Sequence, residues 1–273
     1  MHPSTPSSNF DYLLELRNKI GPVYGSEDLC MLLYSIVKRE KPAIVVELGT
    51  GLGVTTAWIA AAMQENQMGT IYTVDNGTHF ATARQKEWWS RRLDGRLAEL
   101  QGHERHGQFL DTVFARAGVA DRVRYCQSEI DLHDLGWLDE QLRRDHPGPA
   151  RSEIDIVFSD YSHSAANTAR IVASFLPRMT EVSSIFIDSA STHLTSYYLL
   201  ERLVQLFNQG RVPKQLLEHL SDPAAQQKLQ QVVASSEFKL MHLVEKQERA
   251  QNSTAWLRTE RATLIAPLAI SLH

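Results

Sequence analysis

The sequence predicts an α/β fold built on a seven-stranded, mostly parallel sheet with an antiparallel last strand and helices on both faces. Three observations predict it. Short apolar, β-branched runs alternate with helical segments along most of the chain, as parallel strands joined by crossovers do. The first of these runs, Ala43–Val46, passes directly into a glycine-rich turn and then a helix. Near the end, Phe238–Glu245 and Thr254–Leu257 flank a polar QERAQNS turn with no helix between them, which reads as an antiparallel hairpin.

The chain's 273 residues are enough for one generous domain with a sizeable core. The expected organisation is an N-terminal extension over 1–24 and a single domain over 25–273 with helical insertions at about 81–117 and 210–235. A formal charge of −4 without a basic stripe argues against nucleic acid as the main partner, leaving a small molecule. Cys30 and Cys126 match no zinc or redox spacing and read as reduced thiols. The opening MHPSTPSSNF lacks the apolar stretch of a signal peptide, and no run approaches the roughly 20 residues of a membrane span. The expectation is a soluble cytoplasmic protein, with assembly into a homo-oligomer left open.

In chain order, residues before Asn9 are short, polar and Ser/Pro-rich, as disordered ends are. Asp11–Ile20 is a short helix stopped by Gly21-Pro22. Ser26 is an N-cap candidate for a second helix, whose Leu29, Leu32, Leu33, Ile36 and Val37 recur at helical spacing. Then comes AIVVELGTGLGVTT, residues 43–56, around which the chain is organised. Glu47 falls where the first strand should emerge from the sheet, and Gly49, Gly51 and Gly53 follow at alternate positions before a helix from Val54 to Met63. Glycine allows close backbone approach, and a helix N-terminus offers free N–H groups to an anion. A dinucleotide fingerprint needs glycine at position 54; Val54 stands there, and the pattern is E-x-G-x-G-x-G.

Thr70–Asp75 is the second strand, ending in an acid able to accept the two hydroxyls of a ribose, or else to serve the Asn76-Gly77 turn. The segment 81–117 is longer than a crossover requires and carries Arg84, Lys86, Trp88, Trp89, Arg91 and Arg92. It is either a substrate cover or contact between copies, or a solvated helix with its tryptophans folded inward. His103 and His106 are three apart, a weak metal signal without partners. Val123–Gln127 is the third strand, followed by Ser128 and Glu129. Ile154–Ser159 and Ser184–Asp188 are the fourth and fifth, ending at Asp160 and Asp188, so both carboxylates reach the same sheet edge. A helix through Ala169, Val172 and Leu176, stopped by Pro177, lies between them. Leu200, Leu203, Val204 and Phe207 mark another after Thr192.

The acidic residue and glycine spacing resemble the first motif of class I S-adenosylmethionine-dependent methyltransferases. The run A-G-V-A-D-R-V, residues 117–123, resembles the approach to the third strand in the same family. The resemblance covers roughly 25–257, most strongly up to Asp188, and implies a Rossmann-like sheet. It implies S-adenosylmethionine as cofactor, held by Glu47, Gly49, Thr50, Gly51 and Gly53, with Asp75 at the ribose and Ser128 and Glu129 at the adenine. Catechol-type and sugar O-methyltransferases are the nearest subgroups; in the former, the loop corresponding to Tyr24-Gly25-Ser26 borders the active site. Some of the latter carry D-x-x-H after the fourth strand, matched by Asp160-x-x-His163. Two catalytic readings follow. Asp160 and Asp188 ligate Mg²⁺, which acidifies the acceptor hydroxyl; or His163 alone is the base, with His193 a substitute. Ser189 departs from the acid or asparagine these families place there, and a bland reading has Asp160 capping a helix and His163 on the surface. The expected activity is methylation of a small-molecule hydroxyl. The alternatives are an NAD-dependent oxidoreductase, disfavoured by Val54 and by the lack of a Tyr-x-x-x-Lys pair, and a non-catalytic binding protein on the same fold.

Overall fold

The computed structural model describes residues 9–23, 27–147, 153–190, 193–244 and 253–261. The N-terminal stretch before Asn9, the Tyr24-Gly25-Ser26 segment and most of the QERAQNS turn lie outside the described residues. The helices are α1 (Phe10–Lys19), α2 (Glu27–Glu40), α3 (Val54–Asn66), α4 (Thr78–Ala81), α5 (Ala83–Ser90), α6 (His106–Ala117), α7 (Gly136–Asp145), α8 (Ala165–Phe175), α9 (Leu194–Phe207), α10 (Lys214–Leu217) and α11 (Pro223–Ser235). The strands are β1 (Ile44–Leu48), β2 (Thr70–Asp75), β3 (Val123–Gln127), β4 (Ile154–Ser159), β5 (Met179–Asp188), β6 (Ser236–Val244) and β7 (Ser253–Arg261).

They form one seven-stranded sheet in the order β3-β2-β1-β4-β5-β7-β6. The first five strands run parallel, and β7 is antiparallel to both its neighbours. The chain steps outward from β1 to β3, then returns to the other side of β1 with β4. That reversal opens a crevice at the carboxyl ends of β1 and β4, where ligands of open α/β sheets sit.

Alternating side chains put two apolar cores on the two faces. Val45 and Ile71 face a core shared with α1, α2, α3 and α6, whereas Ile44, Val46 and Leu48 face one shared with α7, α8, α9 and α11. Helix α3 is buried on all sides from Val54 to Gln64, because the sheet, α2 and α6 enclose it. Its Trp58 makes edge-on contacts with Phe10 at 5.4 Å and Tyr34 at 5.7 Å, a geometry worth about 0.5–1.5 kcal/mol per pair beyond area burial. Through Phe10, and through buried Tyr12, Leu13 and Leu16, helix α1 is packed into this core.

Several strand boundaries differ from the apolar runs of the sequence, β6 by one or two residues at each end and others by more. Strand β1 extends to Leu48, so Glu47 lies within it, register-paired with Thr73 and Phe158. Strand β5 starts at Met179, opposite Ile154 of β4, and pairs with β7 from Val182, opposite Glu260. That stretch carries no apolar run to read, and β7 runs on to Arg261. In the segment after β2 the two tryptophans part company. Trp89 is buried, stacked on Phe80 at 5.2 Å, while Trp88 is exposed under the Arg92 guanidinium, 3.4 Å from its ring centroid. Helices α10 and α11 pack on the second core through Leu216, Leu229 and Val233. Among the described residues no helix is long and apolar enough to cross a membrane.

Candidate active site

At the crevice, backbone hydrogen bonds bring three strand ends together. Gly49 N–H donates to the Val74 carbonyl at 2.9 Å, and Asp160 N–H to the Leu48 carbonyl at 3.0 Å. Gly49 has φ +95°, and a Cβ on it would lie 3.0 Å from the Asp160 carbonyl oxygen, so the position admits only glycine without a shift. A cavity of about 210 Å³ opens beside it, lined among others by Gly49, Asp75, Asn76, Ile130, Asp160 and Tyr161.

The glycine turn is fixed from below. Glu47 has no exposed surface; its Oε2 accepts hydrogens from the Thr56 hydroxyl of α3 and from Thr73 Oγ1 of β2, the latter at 2.6 Å. Thr73 has spent its hydrogen on Glu47, so Thr50 Oγ1, 2.6 Å away, donates to Thr73. Glu47 Oε1 has no partner among the described residues. Burial pushes this carboxyl up to about 8, against the pull of its two hydroxyl donors. Gly53 caps α3 with φ +75°, pressed against Leu110 and Phe114 of α6. Asp75, at the tip of β2, accepts Gly51 N–H on Oδ2 at 3.0 Å and Gly77 N–H on Oδ1 at 2.7 Å.

On the other side of Gly49 lies a rim of ionisable groups. His163 Nδ1 is 3.2 Å from the Asp188 carbonyl oxygen. A carbonyl only accepts, so Nδ1 carries the hydrogen and Nε2 keeps a lone pair, facing Asp160 Oδ1 at 3.7 Å. The His193 ring stacks on His163 at 5.0 Å, and the Ser196 hydroxyl of α9 donates to the His163 carbonyl. Burial lowers the His163 pKa, which keeps the imidazole neutral near pH 7. Burial and the facing Asp188 raise the Asp160 carboxyl well above the usual carboxylate range; burial raises Asp188 too. Asp188 Oδ2 accepts the Ser189 hydroxyl at 3.0 Å and Oδ1 the Thr254 hydroxyl at 3.1 Å.

The crevice thus gathers Gly49, Asp75 and Asp160 around one cavity, with His163 and Asp188 beside Asp160. Glu47 sits beneath the turn rather than at its mouth. Thr50 and Gly51 line a small second recess with Gly49 at the start of α3. Ser128 donates its N–H to the Asp75 carbonyl, and Glu129 points outward to accept from Asn76 at 3.0 Å, so Ile130 rather than either lines the cavity. Among the described residues no group of three His, Cys, Asp or Glu could hold a metal ion. Sequence reasoning missed Ile130, Tyr161 and Asn76, which carry no motif signal. It also missed His106, set aside as half of a weak metal pair. Buried at 4 % exposure, His106 places Nε2 2.6 Å from the Gly51 carbonyl oxygen.

The profile of a methyltransferase domain matches residues 46–190, more than half of the chain. No curated protein matches the sequence. Among solved structures the chain is similar to an O-methyltransferase from Bacillus cereus in complex with SAH, at 13% identity and a TM-score of 0.49, over 90% of each chain. It is similar to an O-methyltransferase from Streptomyces achromogenes involved in tomaymycin synthesis, in complex with SAM, at 12% identity and a TM-score of 0.44, over 86% of this chain and 81% of that one. It is also similar to an SAH-bound methyltransferase from Podospora anserina, at 12% identity and a TM-score of 0.47, over 93% and 88%. With its domain match running from β1 to just past β5, the chain belongs to the methyltransferase-domain family, as a class I S-adenosylmethionine-dependent methyltransferase.

Proposed function

We propose that the protein methylates a hydroxyl group of a small molecule, with His163 as general base and no metal ion. The observation that carries this reading is the His163 tautomer: Nδ1–H is spent on the Asp188 carbonyl, and Nε2 is left basic beside the cavity. The donor, when bound, supplies a methyl carbon already made electrophilic by its sulfonium. The chain must then align the acceptor and take its proton. A neutral amine can attack with its own lone pair, whereas an alcohol or phenol gains from a base. An available imidazole therefore favours oxygen.

The cavity's lining suits the donor: the glycine turn and the start of α3 would hold the methionine end, Asp75 the ribose hydroxyls, and Ile130 the adenine side. The competing route is a cation on Asp160 and Asp188. The donor set is poor for it, since among the described residues no group of three His, Cys, Asp or Glu comes together to ligate an ion, and the neighbour of Asp188 is Ser189, a weak cation ligand. Calorimetry with S-adenosylmethionine and NAD, followed by transfer of labelled methyl to matched hydroxyl and amine acceptors with and without EDTA, tests the reading. The expected result is heat from the sulfonium donor only, and label on oxygen that EDTA does not suppress. Absence of donor heat overturns the site; label only on nitrogen, or turnover that Mg²⁺ restores after EDTA, overturns the chemistry.

A further inference from the structure

We propose that His106, with Tyr125 behind it, is a positioning residue that locks the glycine turn in its donor-binding shape. The inference rests on the reading of that turn as the donor site.

His106 opens α6, on the far side of the segment 81–117, yet its ring reaches under the turn. Nε2 lies 2.6 Å from the Gly51 carbonyl oxygen, and Nδ1 lies 2.9 Å from Tyr125 Oη of β3. The carbonyl can only accept, so Nε2 is the N–H and Nδ1 the acceptor of the tyrosine hydrogen. One tautomer satisfies both contacts, and burial favours the neutral ring they require. The imidazole is clamped face-on by Phe80 at 5.2 Å and edge-on by Tyr125 at 5.5 Å. Gly77 passes so close that a Cβ there would be 3.0 Å from Nδ1.

Gly51 is thereby held by both of its polar backbone groups. Its N–H goes to Asp75 at the tip of β2, and its C=O goes to His106 on α6. Without the second tie, a turn with positive φ at Gly49, Gly51 and Gly53 has the conformational freedom of three glycines, and a ligand would have to order it on binding. Such a cost appears in affinity rather than in the chemical step. The same contacts orient the Asp75 carboxylate, because Gly51 and Gly77 are its two N–H donors.

The test uses the full chain with His106→Phe, which keeps a ring against Phe80 but cannot donate, and His106→Gln, whose amide N–H reaches about the position of Nε2. Donor Kd by calorimetry, donor KM and kcat, and the thermal midpoint are measured for each. The expected result is a rise of about tenfold in donor Kd and KM for the Phe variant, the worth of one hydrogen bond, with kcat within about twofold of wild type. The Gln variant recovers most of the loss. Equal donor affinity in the Phe variant overturns the role while leaving the donor site standing. So does an equal loss in both variants tracking a fall in thermal midpoint, which would mark a packing residue. A wild-type chain that binds no donor overturns the site and this role together. Should the Phe variant not fold, Tyr125→Phe decides: donor Kd rises about threefold if the relay orients the imidazole, and no change overturns it.

Discussion

The two halves of the crevice are built differently. On the proposed donor side, between β1, β2 and α6, the turn itself offers backbone groups, Gly49 tied to Val74 and Gly51 and Gly77 tied to the Asp75 side chain. On the proposed acceptor side, the groups are side chains drawn from distant segments: Asp160 and His163 after β4, Asp188 and Ser189 at the end of β5, Thr254 from β7 and Ser196 from α9. Ser189 even sits at φ +59°, a conformation a side-chain-bearing residue adopts rarely and at some cost in strain. A backbone-built half suits one invariant ligand, since few substitutions alter it. A side-chain-built half can be retuned residue by residue without disturbing the sheet. The donor half should therefore govern affinity for S-adenosylmethionine, and the rim should govern turnover.

The largest expected effect is at the rim. His163→Ala should lower kcat by about 10²–10⁴-fold, the usual worth of a positioned general base, with donor Kd unchanged by calorimetry. An equal fall in donor affinity would break the division between the halves. Next is Gly49→Ala, where both the φ of +95° and the 3.0 Å approach to the Asp160 carbonyl oppose a methyl group. It should cost about 1–3 kcal/mol of stability in denaturant titrations and weaken donor binding. Because Gly49 touches Asp160, this variant also shows whether the two halves move together. A smaller effect is expected of Thr254→Val, which leaves Asp188 Oδ1 without its hydroxyl donor. Losing that one hydrogen bond, worth about 1 kcal/mol, should appear as a drop of about fivefold in kcat at constant donor Kd.

The same division explains what could be read from the sequence. The strand-turn-helix of the donor half is local: an apolar run, an acid, alternating glycines and a helix, all between Ala43 and Asn66. Its periodicities and residue types survive as a string, and so did the ends of β2, β3 and β4, each correct to the residue. The rim was legible only as two aspartates and a histidine near strand ends. What sets their chemistry, Thr254 on Asp188 and Ser196 on His163, joins residues 66 and 33 positions apart. His106 was hidden for the same reason, since it contacts a carbonyl 55 positions earlier, and a backbone carbonyl leaves no trace in residue identity. Glu47 was legible as an acid, but whether it faces a ligand or the core depends on where β1 stops, which is where apolar runs are least informative.

That last residue supplies the subtlest prediction. The folded chain binds the Glu47 proton more tightly than the unfolded chain does, its pKa being pushed from 4.5 to about 8 by burial. Its contribution to stability is therefore full below about pH 4.5 and is lost as pH rises through about 8, with a limiting slope of about 1.4 kcal/mol per pH unit. Glu47→Gln keeps the shape, still accepts from Thr56 and Thr73, and does not titrate. Urea midpoints measured from about pH 6 to about pH 8.5 should fall for the wild type and run flatter for the variant, the two curves diverging most at the alkaline end. Saturating donor should flatten the wild-type curve as well if its ammonium group meets the unpartnered Oε1, because an ionised Glu47 would then have a counter-charge. Parallel wild-type and variant curves would mean that the carboxyl is already ionised against a partner in the free protein. The donor half would then carry a buried side-chain charge beneath its turn, and the contrast with the rim would be one of degree.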